Sequence, residues 1–493
     1  MKIKTVNMDY EDVLKLPTYK HKNPQKQSAF FRKLIKALSA IDLKRIGFTY
    51  ETVGMEKLKQ GEPCLVLMNH SSFIDLEIAS SLLYPRPFHI VCTLDGFVGK
   101  EKLMRNIGCI PTGKFVTDVN LVRDMVYAIS TLGSSILMYP EASYSFDGTA
   151  TPLPSSLGKC LKLLKVPVVM IRTEGAFHRD PLYNGLQIRK VPVSATMEYL
   201  LSPDEIEKKS VKELNAILAK QFDFDHFRWQ KENSVKVSES FRADGLNRVL
   251  YKCPKCGSED GMNGSGTHII CRHCGNEFEL NEYGALKPTG DSRGFEHIPD
   301  WYRWERECVR KELVDNTYRL EIPVSISMLV DTNSIYNVGD GVLTHSRDGF
   351  HLTGCDGRLE YFQDPMASYS LYADYYWYEI GDVICIGDEK AQYYCFPKSD
   401  KDVVAKTRLA PDPGTLPAKH SGTVFDQKHA SETDHGSHRH QTPDPLIVIE
   451  PCLIQHQESR REGQDAQSSR QRGIEKKGLR LPFLPASEPH KEK

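Results

Sequence analysis

Nowhere in its 493 residues does the chain hold the roughly 20 consecutive apolar residues that a spanning helix needs, which excludes an ordinary transmembrane segment. Its first residues, "MKIKTVNMDYEDVLKLP", scatter their charges around no apolar centre, so a cytosolic setting without a secretory signal is expected. Charge of one sign is also missing. Sixty-four Lys and Arg against 65 Asp and Glu leave a formal net charge of -1, which excludes a global attraction to nucleic acid and makes any partner preference local. Residues 60 to 200 hold no Gly-x-Ser-x-Gly elbow, so a serine hydrolase is not expected there. Cysteine, by contrast, is plentiful: an odd count of 13 in a cytosolic chain points to free thiols and metal ligands rather than a disulfide framework.

The stretch "MNHSSFIDL", residues 68 to 76, follows the apolar run Cys64 to Met68, which Gly61 and Pro63 precede. Such a run fits a buried strand of a parallel sheet, and His70 then stands at a strand's carboxyl end, where those sheets carry ligands. With 17 histidines, about one His-x4-Asp spacing arises by chance, and Ser72-Phe73-Ile74-Asp75 also reads as a helix cap. Five residues apart on one helix, His70 and Asp75 would face different ways, so contact requires His70 in the turn and Asp75 in the first helical turn. In that arrangement Asp75 would orient the imidazole and leave its other nitrogen free to take a proton from a hydroxyl. With no protein nucleophile nearby, the hydroxyl belongs to the substrate.

Residues 24 to 46 predict a basic amphipathic helix, with Phe30, Phe31, Leu34, Ile35, Leu38, Ile41 and Ile46 among Lys26, Arg32, Lys33, Lys36, Lys44 and Arg45. It packs on the domain as a surface helix or lies in a membrane interface. From residue 60 to about 200 strands and helices alternate, with strands expected at 64–68, 88–92, 135–139, 166–172 and 191–198, as in an α/β domain.

These residues resemble the glycerolipid acyltransferases of the lysophosphatidic acid acyltransferase type over about residues 30 to 225. Asn69-His70-x4-Asp75 is similar to the family's first block. "IGCIPTGKF" (107 to 115) is similar to the second, "YPEASYS" (139 to 145) to the third and "VPVVMIRTEGAF" (166 to 177) to the fourth. The resemblance implies a mixed sheet flanked by helices, with His70 as general base and Asp75 orienting it. It implies an acyl thioester donor, acyl-CoA or acyl carrier protein, and a lysophospholipid acceptor such as 1-acylglycerol-3-phosphate, bound by Lys114, Glu141 and Ser143. Lys114 and Tyr144 stand where the family carries acceptor-clamping arginines, and Ala142 replaces its glycine. Lysine offers no bidentate fork and tyrosine no charge, so the reaction type carries over more firmly than the acceptor. Arg105 and Arg172 are further cations within reach of that role.

"CPKC" at 253 to 256 and "CRHC" at 271 to 274 have the spacing of a four-cysteine zinc ribbon, with Cys253, Cys256, Cys271 and Cys274 as ligands of a structural zinc and His273 at the surface. A pair of redox CxxC motifs is the lesser alternative, since no thioredoxin-like pattern surrounds either. Few basic and aromatic residues interleave there, so no nucleic acid is expected as a partner. A helix at 299–314 and strand-like stretches over 317–397 predict a small antiparallel β-domain, in which the cluster Tyr372, Tyr375, Tyr376, Trp377 and Tyr378 serves packing. From Pro411 the chain turns polar and histidine-rich, the composition of a disordered tail.

The expected organisation is a basic N-terminal segment at 1–46, an acyltransferase domain at 47–225, a zinc ribbon at 226–285, a helix and β-rich domain at 286–400 and a tail at 411–493. The fold class is α/β, with the ribbon and an antiparallel β-domain appended. The function implied is a membrane-associated O-acyltransferase, peripheral on the cytoplasmic face. The alternative is a catalytically silent lipid-binding or scaffold protein on the same fold.

Overall fold

The computed structural model of the protein describes residues 3–114, 118–365, 367, 370–398 and 402–411. The tail expected over 411–493 lies, but for Pro411, outside them. The chain opens with β1 (Thr5–Asn7), α1 (Tyr10–Leu14) and α2 (Ala29–Arg45). An alternation follows: β2 (Thr49–Val53), β3 (Leu65–Met68), α3 (Asp75–Leu83), β4 (Phe88–Thr93), α4 (Glu101–Asn106), β5 (Cys109–Thr112) and α5 (Val119–Ser130). It continues through β6 (Ser135–Met138), α6 (Leu157–Leu164), β7 (Val168–Glu174), α7 (Ala176–Arg179) and β8 (Ser194–Leu201).

The seven strands β2 to β8 form one sheet in the order β2-β8-β7-β3-β6-β4-β5. Strands β7, β3, β6, β4 and β5 are parallel neighbours, β8 runs antiparallel to β7, and β2 is parallel to β8. Strands β3 and β6 read LVLM and SILM because both faces are covered. Val66, Met68, Leu137 and Ile171 pack with Ile78, Leu83 and Phe97 on one face, while Leu65, Leu67, Ile136 and Met170 pack with Met125, Leu161 and Leu214 on the other. The helix α2 turns Phe31, Ile35 and Leu43 to the first of these layers and leaves Phe30 and Ile41 68% and 69% exposed. No helix among the described residues is long and apolar enough to cross a membrane.

Beyond β8, helices α8 (Pro203–Lys208), α9 (Val211–Gln221) and α10 (His226–Glu232) lead to a small antiparallel sheet of β9 (Met262–Ser265), β10 (His268–Cys271), β11 (Glu277–Leu280) and β12 (Leu286–Pro288). Helix α11 (Ile298–Val314) precedes the last sheet: β13 (Arg319–Leu329), β14 (Ile335–Ser346), β15 (Gly349–Gly354), β16 (Leu359–Gln363), β17 (Tyr372–Trp377), β18 (Gly381–Gly387) and β19 (Gln392–Pro397). These run antiparallel in the order β16-β15-β14-β13-β19-β18-β17, and β1 joins β14 in parallel, so the start of the chain belongs to its last sheet. Helix α12 (Val403–Leu409) ends the described chain but for Ala410 and Pro411. One apolar cluster joins Phe146 and Phe177 of the α/β part to Trp301, Ile326, Tyr375 and Leu409. The appended sheets are therefore packed against the loops that follow β6 and β7.

Candidate active site

Strands β3 and β6 are parallel and adjacent, with Leu65 opposite Ile136 and Leu67 opposite Met138. Their carboxyl ends open on the same side, and the chain leaves them as Asn69-His70 and Tyr139-Pro140-Glu141. Asn69 ties the first of these turns to β7, accepting from the Thr173 N–H at 2.8 Å and donating to the Ser71 hydroxyl at 3.0 Å.

His70 Nδ1 lies 3.2 Å from Asp75 Oδ2. A carboxylate only accepts, so the contact places the imidazole proton on Nδ1 and leaves the lone pair on Nε2. The contact is made as the spacing requires. The Ser-x-x-Asp cap forms as well: the Ser72 hydroxyl accepts from the Ile74 N–H at 3.3 Å, and α3 opens at Asp75. Its Oδ2 accepts from the Ser71 and Ser72 N–H groups at 2.8 and 3.0 Å, while the Ser72 hydroxyl donates to Asp180. The carboxylate collects the free donors of the turn, a stronger acceptor than the serine hydroxyl.

The imidazole is held between two rings. Tyr139 stacks at 4.2 Å between centroids and Tyr144 at 3.9 Å, with interplanar angles of 26° and 28°. The His70 side chain keeps 21% of its surface exposed. Burial pushes the hydroxyls of both tyrosines well above the usual phenol range, so both stay neutral. Ala142 adopts φ +56°, the left-handed conformation that suits glycine, and so keeps the tight turn in which Tyr144 is presented.

The three acceptor-binding candidates have different surroundings. Glu141 is buried; its Oε1 accepts from the His70 N–H at 3.2 Å and its Oε2 from the Thr151 N–H at 2.9 Å. Burial raises its pKa to about 7 against those hydrogen bonds. Its carboxylate thus braces the backbone of His70. The Ser143 hydroxyl accepts from Arg408 Nη2 at 2.8 Å. Lys114 Nζ lies 2.7 Å from Asp95 Oδ2, with 1% and 2% of the two side chains exposed. Its ammonium sits 3.3 Å from the centre of the Tyr372 ring, with Tyr394 and Trp377 at 5.1 and 5.5 Å. Trp377 Nε1 donates to Asp95 at 3.1 Å. Burial alone would raise the Asp95 carboxyl, but the Lys114 charge and the bonds from Lys114, Thr93 and Trp377 hold it below the usual range. Part of the aromatic cluster read as packing is therefore a cage around this ion pair. Arg105 is also engaged elsewhere, with Glu101 at 2.8 Å and the Tyr19 hydroxyl at 2.6 Å.

Residues 49–173 match the family model named Acyltransferase. His70, Asp75, Lys114, Glu141 and Ser143 all fall inside the matched stretch, as do the turns after β3 and β6. Among solved structures the chain is similar to the 1-acyl-sn-glycerophosphate (LPA) acyltransferase PlsC from Thermotoga maritima, at 16% identity and a TM-score of 0.30, over 39% of this chain and 78% of that one. No curated protein matches the chain.

Arg408 reaches this region without the sequence having brought it forward. It lies in the last turn of α12, 264 positions from Tyr144, whose carbonyl it bonds at 3.3 Å. No motif marks it, because its place depends on how the last sheet packs.

Away from this region, Cys253, Cys256, Cys271 and Cys274 bring their sulfurs within 4.8 Å of one another. The Cys253–Cys274 and Cys256–Cys271 Sγ distances are both 3.7 Å. Four thiolates about 2.3 Å from a tetrahedral zinc lie about 3.8 Å apart, so the cluster fits such an ion. Gly257 and Gly275, at φ +78° and +67°, close matching turns in which their N–H groups bond the Cys253 and Cys271 carbonyls. Asn276 Nδ2 approaches the Cys253 sulfur at 3.6 Å. His273 bonds Asp260 at 2.9 Å.

Proposed function

We propose that the protein transfers a fatty acyl group from an acyl thioester, carried on coenzyme A or an acyl carrier protein, to the hydroxyl of a lysophospholipid. The observation that carries this reading is the His70–Asp75 contact at the open ends of β3 and β6, inside the stretch that matches the acyltransferase family. His70 Nε2 takes the acceptor's hydroxyl proton as the oxygen attacks the thioester carbonyl. The tetrahedral intermediate collapses with loss of the thiolate, which takes that proton back from His70. The Asp75 carboxylate fixes the tautomer and balances the transient imidazolium. The Tyr139 and Tyr144 rings hold the imidazole in its plane, and Glu141 holds the turn that carries it.

In this reading residues 47–225 do the chemistry of phospholipid biosynthesis. The four cysteines hold a structural zinc, which supplies a cross-link and takes no part in the reaction. The outward face of α2, with Phe30, Leu38 and Ile41 exposed beside Lys33, Lys44 and Arg45, lies on the cytoplasmic face of a membrane. The test is transfer from labelled acyl-CoA and acyl-acyl carrier protein into a panel of lysolipids by the folded, zinc-loaded protein. Product with at least one donor and acceptor is expected. Absence of product in every combination overturns the proposal in favour of the silent lipid-binding alternative.

A further inference from the structure

We infer that Arg408, delivered by α12 after the last strand of the β-domain, grips the phosphate of the acceptor headgroup, so that α12 completes the site at the ends of β3 and β6. The inference rests on the acyl-transfer reading above and names the acceptor class of that site.

The first ground is a buried cation without an ion pair. Arg408 is 7% exposed, and among the described residues it makes two hydrogen bonds, to the Ser143 hydroxyl and the Tyr144 carbonyl, and no ion pair. Both acceptors are neutral. A guanidinium carries five N–H donors, and one taken out of water without an anion is expensive to keep. Glu141 and Asp374 feel its charge, but neither carboxylate forms an ion pair with it.

The second ground is position. Tyr144, whose carbonyl Arg408 holds, is the ring stacked 3.9 Å from His70. The guanidinium lies 4.0 Å above the Phe146 ring, which fixes its plane, and a planar fork matches two oxygens of a phosphate. Third, three of the nearby cations are occupied. Lys114 is closed in with Asp95, Arg105 is paired with Glu101, and Arg179 is paired with Asp42 and Asp180 at 3.1 and 3.0 Å.

The test compares wild type, Arg408→Gln and Arg408→Lys for transfer into three acceptors: a lysolipid with a phosphomonoester headgroup, one with a phosphodiester headgroup, and an uncharged monoacylglycerol. For the phosphorylated acceptors R408Q should raise KM by about 10- to 100-fold with kcat changed far less, the scale of losing a charge-assisted hydrogen bond. R408K, which keeps the charge but not the fork, should fall between. KM for the uncharged acceptor should hardly move, a split that a merely structural role would not produce. The acceptor showing the larger rise tells monoester from diester. If the wild type is active but R408Q keeps its KM for both phosphorylated lipids, this inference fails and the acyl-transfer reading stands. A wild type inactive on every acceptor overturns both. Should R408Q not fold, R408K decides: a wild-type KM there for both phosphorylated lipids also overturns the inference.

Discussion

Lys114 and Asp95 meet at 2.7 Å beneath the ring of Tyr372, and neither side chain reaches water. Asp95 comes from the turn after β4 and Lys114 from the turn after β5, while the rings that close over them come from β17 and β19. The pair therefore fastens the last sheet to the seven-stranded sheet of the α/β part. Removing only the ammonium strands a buried carboxylate, which costs about 3–5 kcal/mol. Lys114→Met should lose about that much in chemical denaturation, and Asp95→Asn in the same chain should recover much of it. A loss below about 1 kcal/mol would show that the pair does not hold the two parts together.

Asp75→Asn should keep the fold and lose the rate. With its oxygen at the place of Oδ2 the amide can still accept from the Ser71 and Ser72 N–H groups and from Nδ1, but it carries no charge to balance the imidazolium that forms as Nε2 takes the proton. The expected fall in kcat is about 10²- to 10⁴-fold, with an unchanged far-ultraviolet spectrum. A kcat within a few-fold of wild type would remove Asp75 from the orienting role.

The turn that joins His70 to Asp75 was legible because both residues lie in one nine-residue stretch and only one local geometry brings them together. The parallel middle of the sheet was legible from unbroken apolar runs such as LVLM. The Ser-x-x-Asp pattern pointed to the cap that Ser72 and Asp75 form, but not to the Ser71 N–H that the same carboxylate also takes. Lys114 read as a free cation because its partner lies 19 positions away and its aromatic cover more than 250. Arg408 and the parallel pairing of β1 with β14 depend on contacts between opposite ends of the chain, which no local spacing encodes.

Four sulfurs at tetrahedral separations should hold about one zinc ion per chain, measured by metal analysis of the purified protein. Stripping it with a strong chelator, or making Cys253→Ser, should lower the melting temperature, because Cys253, Cys271 and Trp301 share one apolar cluster. Protein purified with no metal and an unchanged melting temperature after chelation would contradict the ribbon.

Glu77, on α3, has its pKa raised from 4.5 to about 7, first by burial and then by the charge of Asp42. The folded chain therefore binds a proton that the unfolded chain has released between those values, and stability falls as pH rises through that window. Glu77→Gln should remove this part of the slope, so its melting temperature should gain on wild type from about pH 5 to about pH 7. A constant difference across that range would show that the side chain is more solvated than its packing implies.

The most direct measurement is the single-turnover rate of acyl transfer by His70→Ala beside wild type, with the acceptor the wild type uses best. His70 as general base requires a fall of about 10²- to 10⁴-fold in a protein that still melts like the parent. An undiminished rate in the alanine protein would contradict it and move the chemistry elsewhere in the chain.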